Sequence, residues 1–185
     1  MKSPLAPTIW RTCRVLACPR RLAILKAVIE KGPICVKDVA RVCRMPENTA
    51  TQYLRALQSR GLLAANRQSR WVYYLPRADH SVQHAEPMLA AMQAAIAGGV
   101  SRDEMLAALT AFTHPRRIAL VCRLAAGAVR VDQLAQDTGI SMPACYRHLV
   151  KLQSRNVVVV DAEGCCQLCQ PAPGLATVLL QATTA

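Results

Sequence analysis

The chain has 185 residues, 52% of them hydrophobic, with 23 Lys and Arg against 11 Asp and Glu and a formal net charge of +12. That apolar content suffices for one sizeable core or two small ones and excludes disorder throughout. The charge points to polyanionic partners, nucleic acid or an acidic membrane surface, and it is lopsided: residues 1–95 carry +10 and residues 96–185 only +2.

The sequence meets Arg11 and Arg14 before any apolar run long enough for a secretory signal. Val15-Leu16-Ala17-Cys18 faintly matches a lipoprotein cleavage site, but those arginines sit where its apolar region should be. No stretch approaches the ~20 apolar residues of a membrane span. The expectation is therefore a soluble, cytoplasmic protein with no membrane partner and with its nine cysteines mostly reduced.

An N-terminal helix carrying Cys13 and Cys18 is expected first. Pro19 suits the opening turn of the next helix, in which Leu22, Leu25, Val28 and Ile29 recur at helical spacing until Gly32-Pro33 stops it. Val36–Cys43 reads as a short second helix, and after the turn Arg44-Met45-Pro46 a third runs from Glu47 to about Arg60, closed by Gly61. In that third helix Ala50, Tyr53, Leu54 and Leu57 make one inward stripe. Asn48, Thr51, Gln52 and Arg55 point away from it, with Thr49 beside them, and these are donors and acceptors suited to base edges and phosphates. Leu62–Ala65 and Trp71–Leu75 then read as strands of a hairpin around Asn66–Arg70, with Arg67 and Arg70 as its basic tip. Alternation places Trp71 and Tyr73 on one face and Tyr74 on the other, so part of this aromatic cluster packs the hairpin onto the helices. Helix, helix, helix, basic hairpin is the order of a winged helix-turn-helix, whose last helix enters the major groove.

Ser81–Ala97 reads as a linker helix ending at Gly98-Gly99. Ser101-Arg102-Asp103-Glu104 is a capping-box pattern, Pro115 opens another helix, and Val131–Asp137 forms a short one before Gly139. Ser141 caps a counterpart of the third helix, with Cys145, His148, Leu149 and Leu152 inward. Its outward places go largely to Met142, Pro143 and Tyr146, leaving Arg147 and Lys151 as candidate phosphate contacts. A second hairpin, Val157–Val160 and Cys165–Gln170, has an acidic tip at Asp161-Ala162-Glu163-Gly164; Pro171-Ala172-Pro173 follows, then an apolar helix over Gly174–Gln181.

The two stretches repeat one another. Pro19-Arg20-Arg21-Leu22-Ala23 is echoed 96 positions later by Pro115-Arg116-Arg117-Ile118-Ala119, and Leu57-Gln58-Ser59-Arg60 is echoed 95 positions later by Leu152-Gln153-Ser154-Arg155. Two copies of one supersecondary unit are expected. The fold class follows: mainly α with small β-hairpin wings, as two tandem winged helix-turn-helix domains (8–78 and 101–185) joined by a linker helix (79–100).

The first copy resembles the ArsR family of bacterial winged-helix repressors in Pro19-Arg20-Arg21-Leu22-Ala23-Ile24-Leu25, Val36-Lys37-Asp38-Val39-Ala40, Asn48 through Leu57, and Arg70-Trp71-Val72-Tyr73-Tyr74. The second resembles it more faintly, best in Tyr146-Arg147-His148-Leu149. The resemblance implies a transcriptional repressor bound to double-stranded DNA. Since members pair as homodimers, two copies in one chain imply a built-in pseudo-dimer, with a homodimer of whole chains a further option. Metal-sensing members resemble one another in a Cys-Val-Cys-Asp segment; here Cys35-Val36-Lys37-Asp38 puts a cation in place of the second thiolate, so no metal site carries over and no cofactor is expected.

Other chemistry is thinly represented. Cys165, Cys166 and Cys169 contain half of a zinc spacing without a matching second half. Cys122 and Cys145 fall at inward helical positions, His148 reads as a packed core histidine, and His80, His84 and His114 stand isolated. No phosphate loop, nucleophile elbow or paired carboxylates appear, so an enzyme is not expected. Two alternatives stay open: a protein-interaction winged helix, and a thiol- or metal-responsive switch.

Overall fold

A computed structural model describes residues 8–169 and 175–184. Gln170, Pro171-Ala172-Pro173 and Gly174, which the sequence assigned to the end of the second hairpin and the start of a terminal helix, lie outside the described residues. The protein is mainly helical with small antiparallel sheets. In order it comprises α1 (Ile9–Leu16), α2 (Pro19–Lys31), β1 (Ile34–Cys35), α3 (Val36–Val42), α4 (Glu47–Gln58), β2 (Ala64–Gln68) and β3 (Trp71–Leu75). There follow α5 (Ala85–Ala97), α6 (Arg102–Ala111), α7 (Pro115–Ala125), β4 (Val129–Arg130), α8 (Val131–Thr138), α9 (Met142–Gln153), β5 (Val158–Val160), β6 (Cys165–Leu168) and α10 (Leu175–Thr184). The strand order is β1-β3-β2 in one sheet and β4-β6-β5 in the other.

Each hairpin is thus widened by a two-residue strand that the sequence reading missed, Ile34 pairing with Tyr74 and Val129 with Cys166. Two residues are too few to show a period. The first hairpin is also tighter than expected: β2 starts at Ala64 and runs to Gln68, which pairs with Trp71, so the turn is only Ser69-Arg70. Leu62 and Leu63, expected in that strand, are buried ahead of it.

The helix ends explain the matching spacing of the two halves. After α3, α4, α8 and α9 the chain makes the same closure, in which one amide reaches back three residues and the next reaches back five. The residue at the left-handed position is Arg44, Gly61, Gly139 and Asn156 respectively. Gly61 is the most constrained of these, because an added Cβ would lie 2.9 Å from Ala85 Cβ and 3.0 Å from Val82 Cβ. Gly61→Ala therefore combines backbone strain at φ 71° with a steric conflict at the base of α5. A loss of about 2–3 kcal/mol in urea unfolding is expected, against near-neutrality if the turn could relax.

The buried side chains form one contiguous cluster from Ile9 to Leu179. Across its middle α1 packs on α6, and α5 packs on α10. The α1 and α6 helices bury matching positions, Ile9, Cys13 and Leu16 against Met105, Leu109 and Phe112. Each is clamped at its C-terminal end by an arginine from the following helix. Arg21 donates to the carbonyls of Val15 (2.5 Å) and Arg14 (3.4 Å). Arg117, 96 positions on, donates to those of Ala111 (2.6 Å) and Thr110 (2.9 Å). Both guanidinium groups satisfy carbonyls that a helix end leaves without partners.

Several expectations are corrected. Cys13 and Cys18 do not share a helix, since α1 ends at Leu16 and Cys18 caps α2. Cys122 is exposed, its thiol donating to the Thr183 carbonyl at 3.1 Å. Tyr53 and His148 are only half-buried, and His114 is not isolated but stacks on His148. The linker helix starts at Ala85 rather than Ser81.

Candidate nucleic-acid interface

Helix α4 segregates its two faces cleanly. Ala50, Leu54 and Leu57 are fully buried, while Asn48, Gln52 and Arg55 are exposed and Thr49 and Thr51 half-exposed. The turn before it holds Arg44 at φ 50°, and the Met45 amide closes back on the Ala40 carbonyl at 2.9 Å, fixing α3 against α4. Two of the candidate side chains are partly committed. The Thr51 hydroxyl donates to the Glu47 carbonyl at 2.8 Å, leaving its oxygen as an acceptor only. Asn48 Oδ1 accepts from the Thr49 amide at 2.7 Å, so Asn48 presents its NH2 group outward. The Asn48 NH2 group, Gln52 and Arg55 carry the unreserved donors of this face.

The hairpin β2–β3 is exposed along nearly all of β2, and Tyr74 is its one fully buried side chain. Tyr74 therefore anchors the hairpin, and the tip projects. At the tip the Arg70 guanidinium stacks 5.3 Å from the centre of the Trp71 ring, and Arg67 Nε donates to the Ser69 carbonyl at 3.4 Å. Both arginines are exposed to solvent. Sequence reasoning missed a third basic group: Lys37, Arg41 and Arg44 line a cleft of about 460 Å³ between α3 and the start of α4. Their signal was the basic run through α3; Arg41 is paired with Asp38 at 2.6 Å.

The corresponding surface of the second half differs. On α9, Arg147 and Lys151 are exposed, but so are Met142, Tyr146 and Val150 on the same helix, at 38%, 53% and 60% exposure. The β5–β6 tip carries Asp161, whose carboxylate accepts from the Cys165 amide at 2.7 Å, and Glu163. A phosphate backbone would meet repulsion there.

Burial makes five of the nine thiols harder to ionise. Burial pushes Cys166 up to about 11 and also raises Cys13, Cys43, Cys122 and Cys145. Among the described residues no three His, Cys, Asp or Glu side chains converge on one point where a metal ion would sit.

Residues 19–64 match the family model described as winged helix-turn-helix DNA-binding. Over 56 residues the chain is 32% identical to an uncharacterized HTH-type transcriptional regulator of Methanocaldococcus jannaschii, covering 30% of this chain and 63% of that protein. Over 74 residues it is 32% identical to the HTH-type transcriptional regulator NmtR of Mycobacterium tuberculosis, covering 40% of this chain and 61% of that protein. The chain thus spans about three-fifths of the length of these relatives.

Proposed function

We propose that this chain, a winged helix-turn-helix protein through residues 19–64 and a relative of HTH-type transcriptional regulators, is a sequence-specific repressor of double-stranded DNA acting as an intrachain pseudo-dimer. In this reading domain 1 (8–78) docks Asn48, Thr49, Thr51, Gln52 and Arg55 in a major groove while Arg67 and Arg70 lie along the adjacent backbone. The linker segment (79–100) joins it to a second, degenerate head (101–185), which offers Arg147 and Lys151. The observation that carries the reading is the segregation of α4 into a fully buried apolar stripe and an outer polar face ending in Arg55, beside a projecting basic tip.

The pseudo-dimer part is supported by the pairing of like with like. In an isologous interface equivalent elements meet across the axis. Here α1 packs on α6, and the helices that follow each hairpin, α5 and α10, pack on one another. Two unlike heads in one chain suit an asymmetric site with half-sites about one helical turn apart.

A second reading, for the second half alone, is protein docking, favoured by the exposed Met142, Tyr146 and Val150 on α9. Selection of bound sequences from a random duplex pool by the purified chain separates the two. A two-part motif is expected, whereas a single half-site would assign the second half to another partner, and no enrichment would overturn sequence reading. Affinity for the selected duplex should also fall by about 0.9 log units per log unit of salt for each phosphate contacted. A salt-independent affinity would remove the backbone contacts from the proposal.

A further inference from the structure

Where α7 packs on α9 lies a group of charged and titratable side chains that the reading above uses only in part. His114 is the N-cap of α7, its Nδ1 accepting from the Arg116 amide at 3.1 Å, which leaves Nε2 as the protonated nitrogen of the neutral ring. Its ring stacks on that of His148 from α9, the centroids 4.5 Å apart. Positive charge bears on the rings from Arg116 and Arg117 of α7 on both, from Arg14 of α1 on His114, and from Arg147 of α9 on His148. The Arg117 guanidinium is spent on Thr110, Ala111 and Thr113 at the end of α6. Arg14, Arg116 and Arg147 are exposed and form no ion pair among the described residues.

Among the described residues no carboxylate acts on either ring, and every charge that does is positive, from four arginines and from His114 on His148. Concentrating like charge is unfavourable unless a counter-anion relieves it. We propose that His114 and His148, with Arg14, Arg116 and Arg147, form a binding site for a tetrahedral phosphate-type oxyanion. The source is either a free anion or a phosphodiester of bound DNA. The site joins α7 and α9 to Arg14 of α1 and stands whether or not α4 reads DNA.

Burial first, and then the surrounding arginines for His114 and the His114 ring followed by the arginines for His148, hold both rings below the ordinary histidine value. The folded chain is thus harder to protonate at these rings than the unfolded one, so their contribution to stability is present above about pH 6.5 and is lost as the pH falls from there through the lowered value of the folded chain. A dianion between the rings and the guanidinium groups reverses the field. Anion binding then takes up protons and tightens as the pH falls.

Histidine ring NMR of the full chain, titrated from pH 5 to 8 in sulfate and in chloride at equal ionic strength, tests this, because sulfate stays a dianion throughout. The midpoints of His114 and His148 should rise by about one unit in sulfate. R116Q/R147Q, changed at two exposed positions, should raise the chloride midpoints by removing positive charge and abolish most of the sulfate-induced rise. The same rings are followed with the selected duplex, whose binding is read separately by fluorescence anisotropy. A rise in sulfate assigns a free oxyanion, and a rise with duplex alone assigns a backbone phosphate. Unmoved rings in sulfate and in a duplex complex whose binding anisotropy reports would overturn the site while leaving the DNA reading intact. If anisotropy reports no complex, unmoved rings in sulfate suffice to overturn it. A sulfate rise without any duplex binding would do the reverse.

Discussion

R55E/R70E lowers the affinity of the chain for its selected duplex by roughly 100-fold or more, while its thermal midpoint moves little. Both side chains are exposed, Arg55 on the polar face of α4 and Arg70 at the hairpin tip. Neither takes part in an ion pair among the described residues, so reversal removes no salt bridge from the fold. On DNA, each arginine removed from a base edge or phosphate costs about 1–3 kcal/mol, and reversal adds repulsion from the backbone. The salt slope should flatten by about two contacts' worth, near 1.8 log units per log unit. Fluorescence anisotropy at two salt concentrations reads both quantities. Unchanged affinity would move the interface away from α4 and its hairpin.

Phe112→Ala has the largest expected effect on stability. Phe112 is the single phenylalanine of the sequence and is fully buried where α6 ends. Around it lie Asn156, Val157 and Cys169 of the second half together with Ala176 and Leu180 of α10. Truncation leaves a cavity that this many elements cannot close together, at a cost of about 3–5 kcal/mol. The Tm should fall by roughly 10 °C. Because the apolar cluster runs unbroken through α1, α6 and α10, calorimetry should show one transition moving as a whole. Two resolved transitions, only one of them shifted, would mean that the halves fold independently.

What was legible in the sequence was what burial makes periodic. The α4 stripe was readable because Ala50, Leu54 and Leu57 face a core and Gln52 and Arg55 face water, so segregation at a 3.6-residue period survives in the letters. The capping box at Ser101 was readable because both of its hydrogen bonds are local. The first hairpin was misjudged because β2 is exposed on both faces, and a strand with no buried face has no alternation to read. Arg44 gave no sign of its left-handed backbone, which Gly139 announces 95 positions later.

The candidate site divides along the same line. The outward residues of α4 and the tip arginines follow from helix period and turn chemistry; the winged helix-turn-helix match covers residues 19–64, which include α4 but end before the tip. The His114–His148 contact was invisible, because it joins a helix cap to the flank of another helix 34 residues away. No local pattern encodes a contact of that kind. Cys122 misled for the opposite reason: an inward helical phase indicates burial only while a neighbour covers it, and here the thiol reaches α10 from an exposed position.

The packing of α1 on α6 and of α5 on α10 has a consequence for behaviour at low abundance. If the proposed pseudo-dimer holds, its two heads, carried on one polypeptide, would meet at a fixed effective concentration, on the order of millimolar for short connections, however few molecules a cell contains. Dilution would not part them, and a chain with one damaged head would have no dissociable mate within the fold to exchange it with. A binding isotherm on a two-part site should then be simply hyperbolic down to the lowest protein concentrations, without the steepening that assembly from separate subunits imposes.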